Sequence, residues 1–168
     1  MALIKLGVNS GKGKFLQVVQ GTKTDASTYS VATASLTPNI ISVNITPSTT
    51  SSKILIIANL GSVDCTTIQT NLVLNADGTN IFLGDSLGNR SRRSSIVYND
   101  SGNNNTGSSI SATFLHSPSS NSQITYGVKL GHSSGGTQTI YVNRNQDDND
   151  LAKVSQLASS LTLYEIEG

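Results

Sequence analysis

Hydrophobic residues recur along this chain in two ways, strict alternation and one unbroken run, and both are strand patterns. Within residues 39–60, Ile41, Val43 and Ile45 alternate with Ser42 and Asn44, the two-residue period of a strand with one covered face. Ile54, Leu55, Ile56 and Ile57 then follow one another without interruption. That run is short for a helix, rich in β-branched residues and bounded by Ser and Gly, so it predicts a strand buried on both faces. Between the two arms stand Pro47 and five hydroxyl residues, Ser48 to Ser52. Pro fixes φ and the hydroxyls can satisfy turn amides, so a turn is expected, and the pair of strands should feed the centre of the fold.

The rest of the chain repeats the theme. Residues 15–20 (FLQVVQ) predict a first body strand, and 27–33 an extended edge strand or part of a long loop. Over 67–74, Ile68, Leu72 and Leu74 face one way and Gln69 and Asn71 the other. Asp77-Gly78 then supplies the positive φ of a tight hairpin, with a return strand over 79–83. A loop over 84–94, a short strand over 95–98, a Gly/Asn loop over 99–108 and a strand over 109–115 follow. Alternation returns at Ile124, Tyr126, Val128 and Leu130, and Gly135-Gly136 turns the chain into 137–142. The stretch 143–150 is a polar, acidic loop, 150–159 reads as loop or one helical turn, and 161–166 is the final strand. About nine or ten strands at this spacing predict an all-β sandwich or barrel, and among these a jelly-roll-like antiparallel β-sandwich. The expected division is an extended N-terminal docking arm over 1–14, punctuated by Gly7, Gly11 and Gly13, and a β-sandwich body over 15–168.

Composition agrees. Ser and Thr make up about a quarter of the 168 residues, and such side chains compete with the helical backbone for hydrogen bonds. Charged residues are only 12% of the chain and net charge is +1, which removes any strong electrostatic pull toward nucleic acid or an anionic membrane. One cysteine, Cys65, excludes an intrachain disulfide and a cysteine metal site. The first residues lack the order of a signal peptide and no stretch approaches membrane-spanning length, so a soluble product made in the cytosol is expected.

The chemistry-bearing residues are few. His116 and His132 stand alone, without HxH or HExxH spacing, and are expected to be loop or edge histidines. No GxSxG elbow is present, and Gly11-Lys12-Gly13-Lys14 does not satisfy GxxxxGK[ST]. Hence no catalytic residue, cofactor or metal is expected. Two polar clusters stand out. Arg90, Arg92 and Arg93 concentrate positive charge, and Asp147, Asp148 and Asp150 concentrate negative charge. Arginine forks pair bidentately with carboxylates, so the two sets are expected to meet within or between subunits. Calcium in the acidic loop is the lesser option, because the EF-hand glycine and terminal glutamate are missing.

Residues 42–60, SVNITPSTTSSKILIIANL, resemble a domain of virion proteins of tailed bacteriophages, especially aquatic ones. Three other places share the likeness: LQVVQ with TKTD at 16–20 and 22–25, Gly84-Asp85 with Arg90-Ser91-Arg92, and TIYVNR at 139–144 with the acidic loop behind it. The resemblance implies a homotrimer on the virion surface, either a small protein decorating the head or a fibre tip touching the host. No shaft, heptad or collagen-like repeat precedes the body, which favours a capsid decoration or cement protein bound to the major capsid protein. In that setting Leu3, Ile4, Lys5, Leu6, Lys12 and Lys14 would form the capsid-docking arm. The alternative is a tail-fibre or tailspike tip that binds a host-surface receptor or glycan.

Overall fold

A computed structural model describes residues 13–67, 69–99, 107–151 and 154–168. Eleven strands run in chain order: β1 (Phe15–Lys23), β2 (Ser27–Ala32), β3 (Ile41–Ile45), β4 (Lys53–Cys65), β5 (Gln69–Ala76), β6 (Thr79–Ile81), β7 (Ser95–Tyr98), β8 (Ser108–His116), β9 (Ile124–Gly131), β10 (Thr137–Val142) and β11 (Ser159–Ile166). All pairings are antiparallel, in two sheets.

Register reduces these eleven pieces to eight strands. Lys23 pairs with Ser159 and Ser27 with Val142, so β1 and β2 are one strand broken beside a break in its neighbour. That neighbour is β10 plus β11, which pass along the same edge of β4: Val142 opposite Val63, then Ser160 opposite Asn59. Likewise β6 and β7 follow one another along one edge of β5. With each broken strand counted once, the first sheet reads 1-8-3-6 and the second 2-7-4-5, the order of a jelly roll. The all-β sandwich predicted from alternation is the observed fold.

Between the sheets, alternate residues of nearly every strand form one core, with Ile54, Ile56, Leu72, Leu74, Leu130 and Leu163 almost wholly covered. The hairpin signal holds: Asp77 and Gly78 carry φ of 47° and 81° between β5 and β6.

β4 departs from expectation. It continues past Leu60 to Cys65, and it is not buried on both faces: Ile54 and Ile56 point into the core, while Leu55 and Ile57 point outward and are only partly covered. The outward set joins its neighbours. Val18 pairs with Tyr164, Tyr164 with Leu55, and Leu55 with Leu115, so one apolar row crosses the outer face of the first sheet from edge to edge. Phe15 packs its ring 5.3 Å from that of Tyr164 at the same end. At the opposite end of the sheet the paired outward residues are Thr22, Ser160, Asn59 and Ser111. The face is therefore polarised, apolar at one end and polar at the other.

Candidate functional site

Residues 82–94 leave the edge of the second sheet between β6 and β7 and fold over its outer face. Outward side chains of β5 and β7 (Gln69, Asn71 and Ile96) form a floor, and the loop's arginines form the roof of an open cavity of about 780 Å³. The far wall comes from Thr33 and Ala34 beyond β2 and from Ser133 beyond β9. The floor is held in place: Gln69 Nε2 donates to Asn71 Oδ1 at 3.2 Å, and Asn71 Nδ2 donates to Ser133 Oγ at 3.1 Å. The loop is anchored by Ser94, whose N–H donates to Leu72 O and whose hydroxyl accepts from the Leu74 N–H. Arg92 Nε donates to Gly84 O at 2.6 Å and closes the loop on itself.

Arg93 is the unusual member. Its Nη1 donates to Arg92 O at 3.0 Å, but Nε and Nη2 are shielded from solvent and have no partner. Burial pulls its pKa below the usual arginine value, the sign of a cation held without an opposing charge. Shielded N–H groups are costly to leave unmade, most of all on a charged group. The sequence showed the arginines as a cluster; which one lies unpaired depends on a loop conformation that spacing cannot reveal.

The acidic residues stand elsewhere. The 143–158 excursion interrupts the first sheet between β10 and β11, and Asp148 and Asp150 line a separate hollow of about 210 Å³. Asp148 forms its ion pair with Arg144, four residues back, and Arg144 also lies over the Tyr141 ring at 4.9 Å. Asp147 accepts from Asn149 Nδ2 at 3.0 Å. Within the chain, then, Arg144 meets the acidic loop, and Arg90, Arg92 and Arg93 line a different cavity. Within one chain the two clusters line separate hollows. Of the expected docking arm, Leu3, Ile4, Lys5, Leu6 and Lys12 lie outside the described residues. Lys14 is bound to the body by its backbone: its carbonyl accepts from the Glu167 N–H, and the Gly13 N–H donates to Glu167 O. β1 itself begins at Phe15.

Three buried polar centres escaped the sequence reading. Asn143, wholly covered and at φ 62°, donates from Nδ2 to Lys23 O at 2.8 Å and Asp25 O at 3.0 Å, and accepts from the Ser159 hydroxyl. Its N–H donates to Ser62 O and its carbonyl accepts from Leu157, so one side chain and one peptide clasp both breaks in the first sheet. Gly61 lies beside this clasp because the chain returns over it: a Cβ there would fall 2.4 Å from Ala158 O. Asn tolerates the left-handed conformation better than other side chains, and its position after an alternating segment was the available signal.

Glu165, fully covered, accepts at Oε1 from the Ser48 N–H and the Ser52 hydroxyl, each at 2.6 Å, and at Oε2 from Gln17 Nε2 and the Ser48 hydroxyl. Burial pushes its pKa up, yet the donors from Ser52, Gln17 and Ser48 outweigh it, and the carboxyl ends below its ordinary value. The turn hydroxyls of Ser48 and Ser52 therefore serve this carboxylate as well as their own turn. Asp64, the third centre, accepts from the Cys65 N–H, Asn99 Nδ2 and the Gln146 N–H.

His132 lies in the connection just past the end of β9, as a loop histidine was expected to, yet it is wholly buried and donates from Nε2 to Val31 O at 2.8 Å, tying the two sheets together. Its partner is 101 residues away, which no local pattern encodes. His116 does end an edge strand, with its ring 2.8 Å from the Tyr126 hydroxyl and burial holding its pKa below the usual histidine value. Among the described residues no three His, Cys, Asp or Glu side chains gather as metal ligands would.

What the molecule offers chemically is thus one cationic, amide-lined cavity and one apolar sheet end. No protein-family model and no curated protein matches the chain.

Proposed function

We propose that this protein is a non-enzymatic structural protein of a phage virion, a homotrimer that decorates the capsid and braces contacts between major capsid proteins. The observation that supports this reading is the continuous apolar row Val18–Tyr164–Leu55–Leu115 across the outer face of the first sheet. Val18 is 53% exposed and Leu115 45%, and an exposed apolar row running across a whole sheet marks a face built to be covered. The described chain enters the body at this end through Gly13 and Lys14. Each half-exposed side chain of the row that becomes fully covered contributes about 1 kcal/mol, enough for several together to decide binding.

The test is quantification of the protein in purified particles, with Leu115→Asp as the variant. Abundance comparable to the major capsid protein is expected, and the variant should fold normally but fall away from particles. Scarcity in particles, or full retention of the variant, overturns the reading. The second reading, a fibre or tailspike tip that binds a host-surface glycan, draws support from the cavity beneath the arginine loop.

A further inference from the structure

We infer that the cavity between the 82–94 loop and the second sheet is a binding site for an acidic sugar, taken by its carboxylate at Arg93 and by its hydroxyls on the β5 floor. This does not rest on the virion reading, since every group in it belongs to one chain. The cavity's volume, about 780 Å³, lies in the range of small-molecule sites and exceeds what a bare inorganic anion fills.

Three features select the ligand class. The first is charge. Arg90, Arg92 and Arg93 line the cavity against the single carboxylate of Asp85, and among the described residues Arg93 forms no ion pair. Arg93 keeps Nε and Nη2, one side of its planar fork, without partners, and that edge matches a carboxylate with two parallel hydrogen bonds. Those nitrogens are shielded from solvent, so whatever lies over them must shift as the carboxylate seats.

The second feature is the floor. Gln69, Ser95 and Ser133 offer an amide and hydroxyls, groups that both donate and accept, as sugar hydroxyls do, and the buried Asn71 amide holds Gln69 and Ser133 in place beneath them. Asp85 adds an acceptor for hydroxyl donors while opposing a second negative charge, so one carboxylate per sugar suits the site. The third feature is apolar. Ile96 belongs to the lining, and Tyr98, paired across the sheet with the lining residue Gln69, is 63% exposed and offers a ring beyond that edge for a sugar's C–H face.

The experiment titrates the intact protein with glucuronic acid and N-acetylneuraminic acid by chemical-shift mapping, with glucose and acetate as neutral-sugar and bare-carboxylate controls. A monosaccharide of this size is expected to bind with Kd of about 1 mM. Shifts should map to Gln69, Asn71 and the 84–94 loop. Arg93→Gln should weaken the acidic sugars about tenfold or more, with Arg93→Lys recovering only part, because lysine keeps the charge and loses the fork. Should Arg93→Gln misfold, Ile96→Asp serves in its place: Ile96 is an exposed member of the lining, and a negative charge there should weaken binding likewise. Arg144→Gln, on the other sheet, should change nothing. Acetate binding as tightly as glucuronic acid would reduce the site to an anion site and overturn the inference. So would equal binding of glucose, no binding at all, or an Arg93→Gln variant whose sole defect is loss of self-association, which would give the arginines to the acidic loop of a second copy.

Discussion

The first and second sheets each contain a strand interrupted by a long loop, and the two interruptions are finished differently. At the base of the 143–158 excursion the clasp is complete: Asn143 bonds to Lys23 O, Asp25 O and the Ser159 hydroxyl, and Ser159 in turn accepts from the Gly61 N–H. At the 82–94 loop, Arg93 leaves two shielded nitrogens with nothing to bond. Glu165 sharpens the contrast, since it is a charge more deeply covered than Arg93 and yet every oxygen has donors. A buried polar group that is fully bonded holds the fold; one that is not holds room for something else.

The largest effect should follow from opening the clasp. Asn143→Ala removes three side-chain hydrogen bonds and puts alanine at a left-handed φ, so a loss of about 3 kcal/mol is expected in urea unfolding. Asn143→Gly relieves the backbone but restores no bond, and should be milder by about 1 kcal/mol. If both variants lose less than about 1 kcal/mol, the excursion is not pinned by Asn143 and the contrast fails.

Acid should test the same principle at Glu165. Its folded pKa lies below the ordinary carboxyl value, so its stabilisation is complete above the unfolded pKa of about 4.3 and disappears as pH falls through the folded value. Glu165→Gln should cost about 2 kcal/mol at neutral pH, because Ser48, Ser52 and Gln17 lose a charged acceptor. It should also flatten the stability profile below pH 5 relative to wild type. His116 acts in the same direction at higher pH. Burial depresses its pKa, so its contribution is full above the ordinary histidine value and declines as the ring is forced to take a proton. A wild-type profile that is level from pH 7 to 3 would remove both residues from the account.

How much of this was legible in the residues follows from range. Alternation in β3 and β9, and Asp77-Gly78 with its positive φ, are local signals, and local signals placed the strands and the hairpin. The run Ile54–Ile57 was read as doubly buried because an apolar surface row and an apolar core are the same letters; only the cross-strand partners Tyr164 and Leu115 separate them. Gly61 was taken as a boundary, whereas it is the place where Ala158 crosses an unbroken strand. Asn143 and His132 bond to groups about a hundred residues distant, beyond any motif. The arginine cluster was visible, but its expected partner was inferred from charge alone, and the ion pair of the acidic loop formed with Arg144.

The smallest expected effect is the most discriminating. Arg93→Met keeps the aliphatic stem and removes the unpaired guanidinium, giving up the Nη1 bond to Arg92 O and relieving two shielded N–H groups. Folding stability should therefore hold or rise by about 1 kcal/mol, the opposite sign to Asn143→Ala. The comparison is made at constant m, so that a midpoint shift reports stability and not a change in the unfolded chain. A gain in stability together with loss of acidic-sugar binding is the signature of a residue kept for a ligand at the expense of the fold. A loss above about 2 kcal/mol would instead make Arg93 a structural group like Asn143, and the two interruptions would then be finished by the same rule.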